Sequence, residues 1–186
     1  TALTSDTVTV TGDGFVEGEG AAYDVTGSQT DAGESANAFT YTLNEGTKAD
    51  NYDISKVEGT LTVTTYDEAI TVTITEHGGE ATYDGEEHTV TGYDVTSIKV
   101  GENDTTLYTT DDFSFSGDAT ITGTNAGTYA MGLTAANFTN DNKNFTNVTF
   151  VIVDGSLEIK PIDVTVAITG HSNTTDYDGA EHAVSG

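Results

Sequence analysis

The chain has no cysteine, no tryptophan, no arginine and a single proline in 186 residues. Without cysteine there is neither a disulfide framework nor a thiolate zinc site. The lone proline, Pro161, stands between two strand-like runs. Proline cannot donate to a ladder and is confined to strand edges and starts, so this position marks a linker. No run of 18 apolar residues occurs, which excludes an apolar spanning helix from this stretch of sequence. No signal peptide opens it and no anchoring signal closes it; if the parent protein is on a surface, those parts are expected outside it.

Positive charge is equally scarce. Five Lys stand against 31 Asp and Glu, for a net charge of −26. Such a chain repels phosphate, so nucleic acid is excluded as a partner, and direct contact with an anionic membrane is disfavoured. Solubility and cation binding are favoured instead. Hydrophobic residues make up 35% of the chain, below the usual range of about 45–50%. Two thin cores fit that content better than one large core.

What is abundant is threonine, with 37 residues, alternating with Val, Ile, Tyr and Phe. β-branched and aromatic residues suit a pleated, half-buried surface. The carboxylates are dispersed among them, as on the wet face of a sheet rather than in a disordered acidic tail.

Internal repetition sets the architecture. Ile70-Thr71-Val72-Thr73-Ile74-Thr75 recurs as Val164-Thr165-Val166-Ala167-Ile168-Thr169, and Tyr83-Asp84-Gly85 as Tyr177-Asp178-Gly179, each 94 residues on. His77, His88, Val90 and Gly92 recur as His171, His182, Val184 and Gly186 at the same spacing. Asp31-Ala32-Gly33 matches Asn125-Ala126-Gly127 at 94, Asn51-Tyr52 matches Asn144-Phe145 at 93, and the run Glu58–Val63 matches Asp154–Ile159 at 96. The drift marks short loop insertions. Three pieces of one unit are therefore expected: residues 1–66 as a repeat lacking its first strands, 67–161 as a complete repeat, and 162–186 as the opening strands of a third.

Apolar–polar alternation predicts strands around Val8 and Val10, Phe39–Leu43, Leu61–Val63, Ile70–Ile74, Phe113–Phe115, Tyr129–Leu133 and Val148–Ile152. No segment has a 3.6-residue period. Short strands punctuated by Gly, Asp and Asn imply an all-β fold, a tandem array of small Ig-like β-sandwich domains, with β-grasp-like sheet repeats as the alternative. Ala126-Gly127-Thr128-Tyr129 reads as a turn entering a late strand of an Ig-like sandwich.

The Tyr83-Asp84-Gly85 motif with His88, Val90 and Gly92, closed by Asp154-Gly155-Ser156-Leu157-Glu158-Ile159, resembles the YDG-type and MBG-type repeats of bacterial cell-surface, adhesin-like proteins. The likeness covers the middle repeat fully and the flanking pieces partly. It implies an extracellular, non-catalytic module on the cell surface or cell wall, with a spacer or adhesive role.

Candidate chemistry is sparse. The histidines fall at two equivalent sites with no third ligand at repeat spacing, which argues against zinc. The Tyr-Asp-Gly motif reads as turn chemistry: a packed Tyr ring, an Asp bonded to the turn backbone, and a Gly at positive φ. Of Lys48, Lys56, Lys99, Lys143 and Lys160, only Lys48 and Lys143 come near repeat register, one residue off it, and both lie in loop-like sequence rather than on a buried strand, so no Lys–Asn crosslink is expected. Asp111, Asp112, Asn140 and Asp141 are the best candidates for a cation, and Ca2+, which takes about six to eight oxygens, is the one such loops would hold. No serine–histidine–acid set, phosphate loop or carboxylate pair in an aromatic cleft is present, so no enzyme is expected.

The expected function is a stalk or spacer repeat whose partners are neighbouring repeats of the same chain. Two alternatives follow from other features. An adhesive module for host glycan or matrix protein would present exposed aromatics, with Tyr23, Tyr41, Tyr93 and Tyr108 as candidates. A self-assembling module would pair the strands of 162–186 with the first unit of another copy.

Overall fold

The computed structural model describes residues 1–184; Gly186, the last of the recurring positions, lies outside them. The fold is all-β, with three short 3-10 turns and several small sheets, consistent with a β-sandwich.

The segment 70–160 shows how the pieces assemble. Strand β5 (Ile70–Glu76) carries Ile, Val and Ile at alternate positions and buries each of them to 1% exposure or less. After a short break it continues as β6 (Gly79–Thr82). Strands β14 (Val148–Val153) and β15 (Ser156–Lys160) do the same at the other end of the segment. The two broken strands lie side by side and parallel: Val148–Val153 pair with Ile70–Thr75, and Leu157–Lys160 with Gly79–Thr82.

Antiparallel strands complete each half. β8 (Tyr93–Val100) pairs with the free edge of β5, with an irregularity between Thr73 and Ile74, and β9 (Asn103–Asp104) pairs with β8. β12 (Gly127–Ala130) pairs with β15. Two two-stranded sheets form the opposing layers: β10 (Phe113–Phe115) with β13 (Phe138–Asn140), and β7 (His88–Thr91) with β11 (Thr120–Gly123).

Two thin cores result. One holds Ile70, Val72, Ile74, Tyr108, Leu133 and Phe138, with Phe113, Phe115, Phe145 and Phe150 around them. The other holds Ile121, Leu157 and Ile159, and Met131 packs against both. Burying a side chain of the Val or Ile class stabilises by about 1.5–3 kcal/mol, so β5 alone is a large fraction of the unit's stability. The turn at Ala126 leads into β12 as expected, and the Tyr129 hydroxyl donates to the Asn125 carbonyl at 2.9 Å.

The break in the paired strands is held by a buried acid. Glu76 is 4% exposed, and its Oε1 and Oε2 accept from the Leu133 N–H at 2.6 Å and the Gly155 N–H at 2.9 Å. Among the described residues no Lys or His pairs with it. Gly155 has to be glycine, because a Cβ there would collide with the His77 carbonyl.

Residues 1–66 form two further antiparallel pairs: β1 (Ala21–Val25) with β3 (Phe39–Leu43), and β2 (Gly33–Asn37) with β4 (Gly59–Val63). The β2–β4 pair repeats the β12–β15 pair, with Ala32-Gly33 at the turn in place of Ala126-Gly127. Two sequence expectations fail here for one reason. Val8 and Val10 lie in no strand, and residues 162–184 carry none either. In the middle unit the corresponding runs are ordered by ladder partners. No such partner is paired with either run among the described residues, and an alternating sequence does not make a strand without one.

Replacing Glu76 tests the clamp. Glu76→Ala leaves two buried N–H groups without acceptors and is expected to cost about 2–5 kcal/mol in denaturant unfolding. Glu76→Gln keeps the volume but turns an NH2 toward one of the donors, and should cost less than Ala yet remain measurable.

Candidate functional site

The predicted cation loops come together where residues 1–66 meet the middle unit. Thr109 caps the 3-10 turn Thr110–Asp112. Asp112 Oδ2 accepts from the Thr109 N–H at 2.7 Å and its hydroxyl at 3.1 Å, while Oδ1 accepts from Asn142 Nδ2 at 2.6 Å. Burial alone would raise the Asp112 carboxyl, but the bonds from Asn142 and Thr109 prevail and hold it below the ordinary carboxylate range. Asn140 Oδ1 accepts from the Tyr108 hydroxyl at 3.0 Å and the Asn142 N–H at 3.1 Å; its Nδ2 donates to the Phe145 carbonyl at 2.8 Å. Asn144 extends the network across the junction: its Oδ1 accepts from the Ala32 N–H at 2.6 Å and its Nδ2 donates to Asp31 Oδ1 at 3.1 Å.

The structure therefore brings Asp31, Asp111, Asp112 and Asp141 together in the lining of one shallow pocket of about 380 Å3, of which Asn140 is not a lining residue. A calcium ion there would need about six to eight oxygens. Asp112 and Asn140 already spend their side-chain oxygens on the loop itself. Among the described residues no group of three or more His, Asp or Glu is placed to hold a metal. The loop chemistry is that of a self-supporting junction.

Tyr108 is the pivot of that junction and corrects one expectation. Proposed as an exposed anchor, it is 1% exposed, with its ring edge-on to Phe145. Burial first, then the charges of Asp112 and Asp141, push its hydroxyl up to about 12. Tyr93 likewise packs against Phe115 and Phe138. Tyr23 and Tyr41, each 37% exposed, are partners across β1 and β3.

The Tyr-Asp-Gly motif is a turn, as its residues suggest. Asp84 Oδ1 accepts from the Glu86 N–H at 2.9 Å and faces His88 Nε2 at 3.1 Å, and Gly85 has φ +86°. The turn bond to Glu86, helped by His88, holds the Asp84 carboxyl below its ordinary range against burial. The copy at 177–182 has the same geometry without any strand around it: Asp178 accepts from the Ala180 N–H at 3.0 Å and faces His182 Nε2 at 2.9 Å, with Gly179 at φ +78°. The motif closes on itself locally. Tyr83 departs from the expectation of a packed ring, since it is 36% exposed.

A further concavity lies in the first unit. It is a cleft of about 990 Å3 whose lining includes Val10, Tyr23, Tyr41, Ile54, Val57 and Leu61. It runs beside β4 and the segment 54–58.

Residues 68–161, half of the chain, match the MBG domain. The chain belongs to the MBG family. MBG domains are repeat modules found in surface, adhesin-like proteins, and the family is not known as catalytic. No curated protein and no solved structure matches the chain. The MBG match takes in both broken strands, the Glu76 clamp and the Tyr-Asp-Gly turn. Among the described residues no helix is long and apolar enough to cross a membrane.

Sequence reasoning missed Glu76 altogether. Its signal was available: an acid at the fourth position of a period-two run whose other three members are Ile, Val and Ile. Asn144, which the sequence marks only as the repeat match of Asn51, acts as the bridge to Asp31 and Ala32.

Two outcomes check the junction. Asn140→Ala should destabilise by about 1–3 kcal/mol, since it strips partners from Tyr108 and the Phe145 carbonyl, and by the same amount with calcium or with chelator. A tyrosine whose folded pKa is raised contributes stability that is present below pH of about 10 and is lost as pH rises through the folded value. Melting temperature should therefore fall between pH of about 10 and 12, and Tyr108→Phe should flatten that fall.

Proposed function

We propose that the chain is a non-catalytic spacer, part of the stalk of a bacterial surface protein, working outside the cell. The observation that supports this is the parallel pairing of opening and closing strands in the MBG unit. The chain enters where Ile70 lies beside Val148 and leaves where Lys160 lies beside Thr82. Entry and exit are thus at opposite ends of the unit. The 13 positions from Ile70 to Thr82 span at most about 40 Å at roughly 3.3 Å per strand residue. A module threaded end to end adds length with every copy, whereas one with adjacent termini would fold the array back on itself. The net charge of −26 keeps neighbouring arrays soluble and apart.

Small-angle scattering on chains of one, two and three MBG units tests the reading. Maximum dimension should grow by a constant increment of about 30–40 Å per unit. A particle that stays compact as units are added would overturn it.

A further inference from the structure

We infer that each MBG unit is latched to the unit that follows it in the chain. The loop carrying Asn144 seats on the Asp31-Ala32-Gly33 turn of the preceding unit, and the Asn125-Ala126-Gly127 turn takes the same loop of the next unit. The inference rests on the spacer reading for the end-to-end order of the units, and adds that their joints hold a fixed angle.

Units strung on one chain pivot unless something beyond the linker ties them. The joint between residues 1–66 and the middle unit has two ties. The first is the linker, bonded along its course. The Tyr66 N–H donates to the Asn144 carbonyl at 2.7 Å, the Thr146 N–H to the Tyr66 carbonyl at 3.2 Å, and Asn147 Nδ2 to the Asp67 carbonyl at 3.2 Å. The rings of Tyr66 and Phe145 meet edge-on with centroids 5.8 Å apart. The second tie lies off this line. An Asn side chain offers an acceptor and a donor in one planar group. Asn144 uses both, Oδ1 for the Ala32 N–H and Nδ2 for the Asp31 carboxylate. Rotation about the linker would break both bonds together. Each face of the joint rests on paired strands, β2 with β4 behind the turn and β5 with β14 behind the loop.

Both halves of the latch recur. The turn at 31–33 returns at 125–127, with Gly33 at φ +135° and Gly127 at φ +156°. In each copy the glycine pairs near the end of the closing strand, Gly33 with Val63 and Gly127 with Ile159. Asn125 offers an amide oxygen where Asp31 offers a carboxylate, and either accepts from an Asn Nδ2. The loop returns with Asn51 in the place of Asn144. There the Tyr52 N–H donates to the Ala49 carbonyl at 3.0 Å, as the Phe145 N–H does to the Asn142 carbonyl at 3.1 Å. The linker also keeps its spacing up to the bridge. Tyr66 follows Val63 by three residues and Ile162 follows Ile159 by three, with Asp next in both. The two residues by which the linkers differ, Glu68 and Ala69, come after that point. The turn lies at the exit of a unit and the loop at its entry. Such a head-to-tail contact repeats the same rotation from one unit to the next, which builds a rod rather than a closed pair.

The chain has no cysteine, so spin labels can be placed cleanly. Thr40→Cys and Thr122→Cys put one on each unit at exposed positions. Electron double resonance on the labelled full chain should give one narrow distance. Asn144→Ala should lose it for a broad distribution while circular dichroism stays that of the folded chain, because among the described residues that side chain bonds only to Asp31 and Ala32. Asn144→Asp sets two carboxylates together and should broaden the distance as well. Adding Asp31→Asn to it returns a donor and should restore the narrow distance, a rescue that a loss of folding cannot give. Asp31→Asn alone reproduces the Asn-Ala-Gly turn and should leave the distance narrow. In a chain extended past Pro161 by a second copy of residues 66–161, labels at Thr122 of both copies should again report one distance, lost on Asn144→Ala in the second copy alone. A broad distribution in the unsubstituted chain, a narrow one that survives Asn144→Ala, or a broad one between the two copies overturns the inference. The spacer reading fails separately, on a maximum dimension that does not grow with added units.

Discussion

The parallel contact between the first and last strands of the MBG unit is the constraint on which the rest depends. Antiparallel neighbours can be reached through a short hairpin, but a parallel pair requires the chain to travel the whole length of the strand and return. Everything from Tyr83 to Asn147 is that return path, and it supplies the opposing layers that cover the pair. The break at His77-Gly78 and Asp154-Gly155 divides the contact into two halves with separate cores. Glu76 spans the break, binding the N–H of Gly155 on one side and of Leu133 on the other. A carboxylate is suited to that place because two backbone donors converge there and charge-assisted bonds compensate its burial.

Composition and architecture agree. A chain with 35% hydrophobic residues cannot fill a wide interior. Narrow cores between small sheets need only one apolar face per strand, and β5 uses its alternate threonines for the other. Those threonines still take part in bonding: Thr73 Oγ1 accepts from Ser97, and Thr75 shares a hydroxyl contact with Thr96 beside the irregularity in the β5–β8 ladder.

The features legible in the sequence were the local ones. Alternation located β5, β14 and the Phe113–Phe115 strand, and the Tyr-Asp-Gly turn followed from residue chemistry because its bonds close within a few residues. Pairing partners were not legible, since period-two alternation is the same whether a strand pairs parallel or antiparallel. Tyr108 could not be told from an exposed tyrosine, because its burial depends on Phe113 and Phe145 arriving from elsewhere in the chain. Val8 and Val10 show the converse. Their alternation is sound, but strand formation also needs a neighbour. The bonds that Asp112 and Asn140 make within the loops were not legible either, because their partners Asn142, Thr109 and Tyr108 are set by how the loops fold together.

The parallel pair has a mechanical consequence. Tension applied to the two ends of the unit would pull the start of β5 and the end of β15 in opposite directions, along the strands rather than across them. The six paired positions of β5–β14 and the four of β6–β15 are then loaded together, in shear, and cannot be unzipped one at a time. The Glu76 bond to the Gly155 N–H joins the two paired chains at the break between the ladders, and its bond to the Leu133 N–H fastens that point to the segment after β12. A unit joined in this way resists being drawn out under load from its two ends, even though its two cores are small.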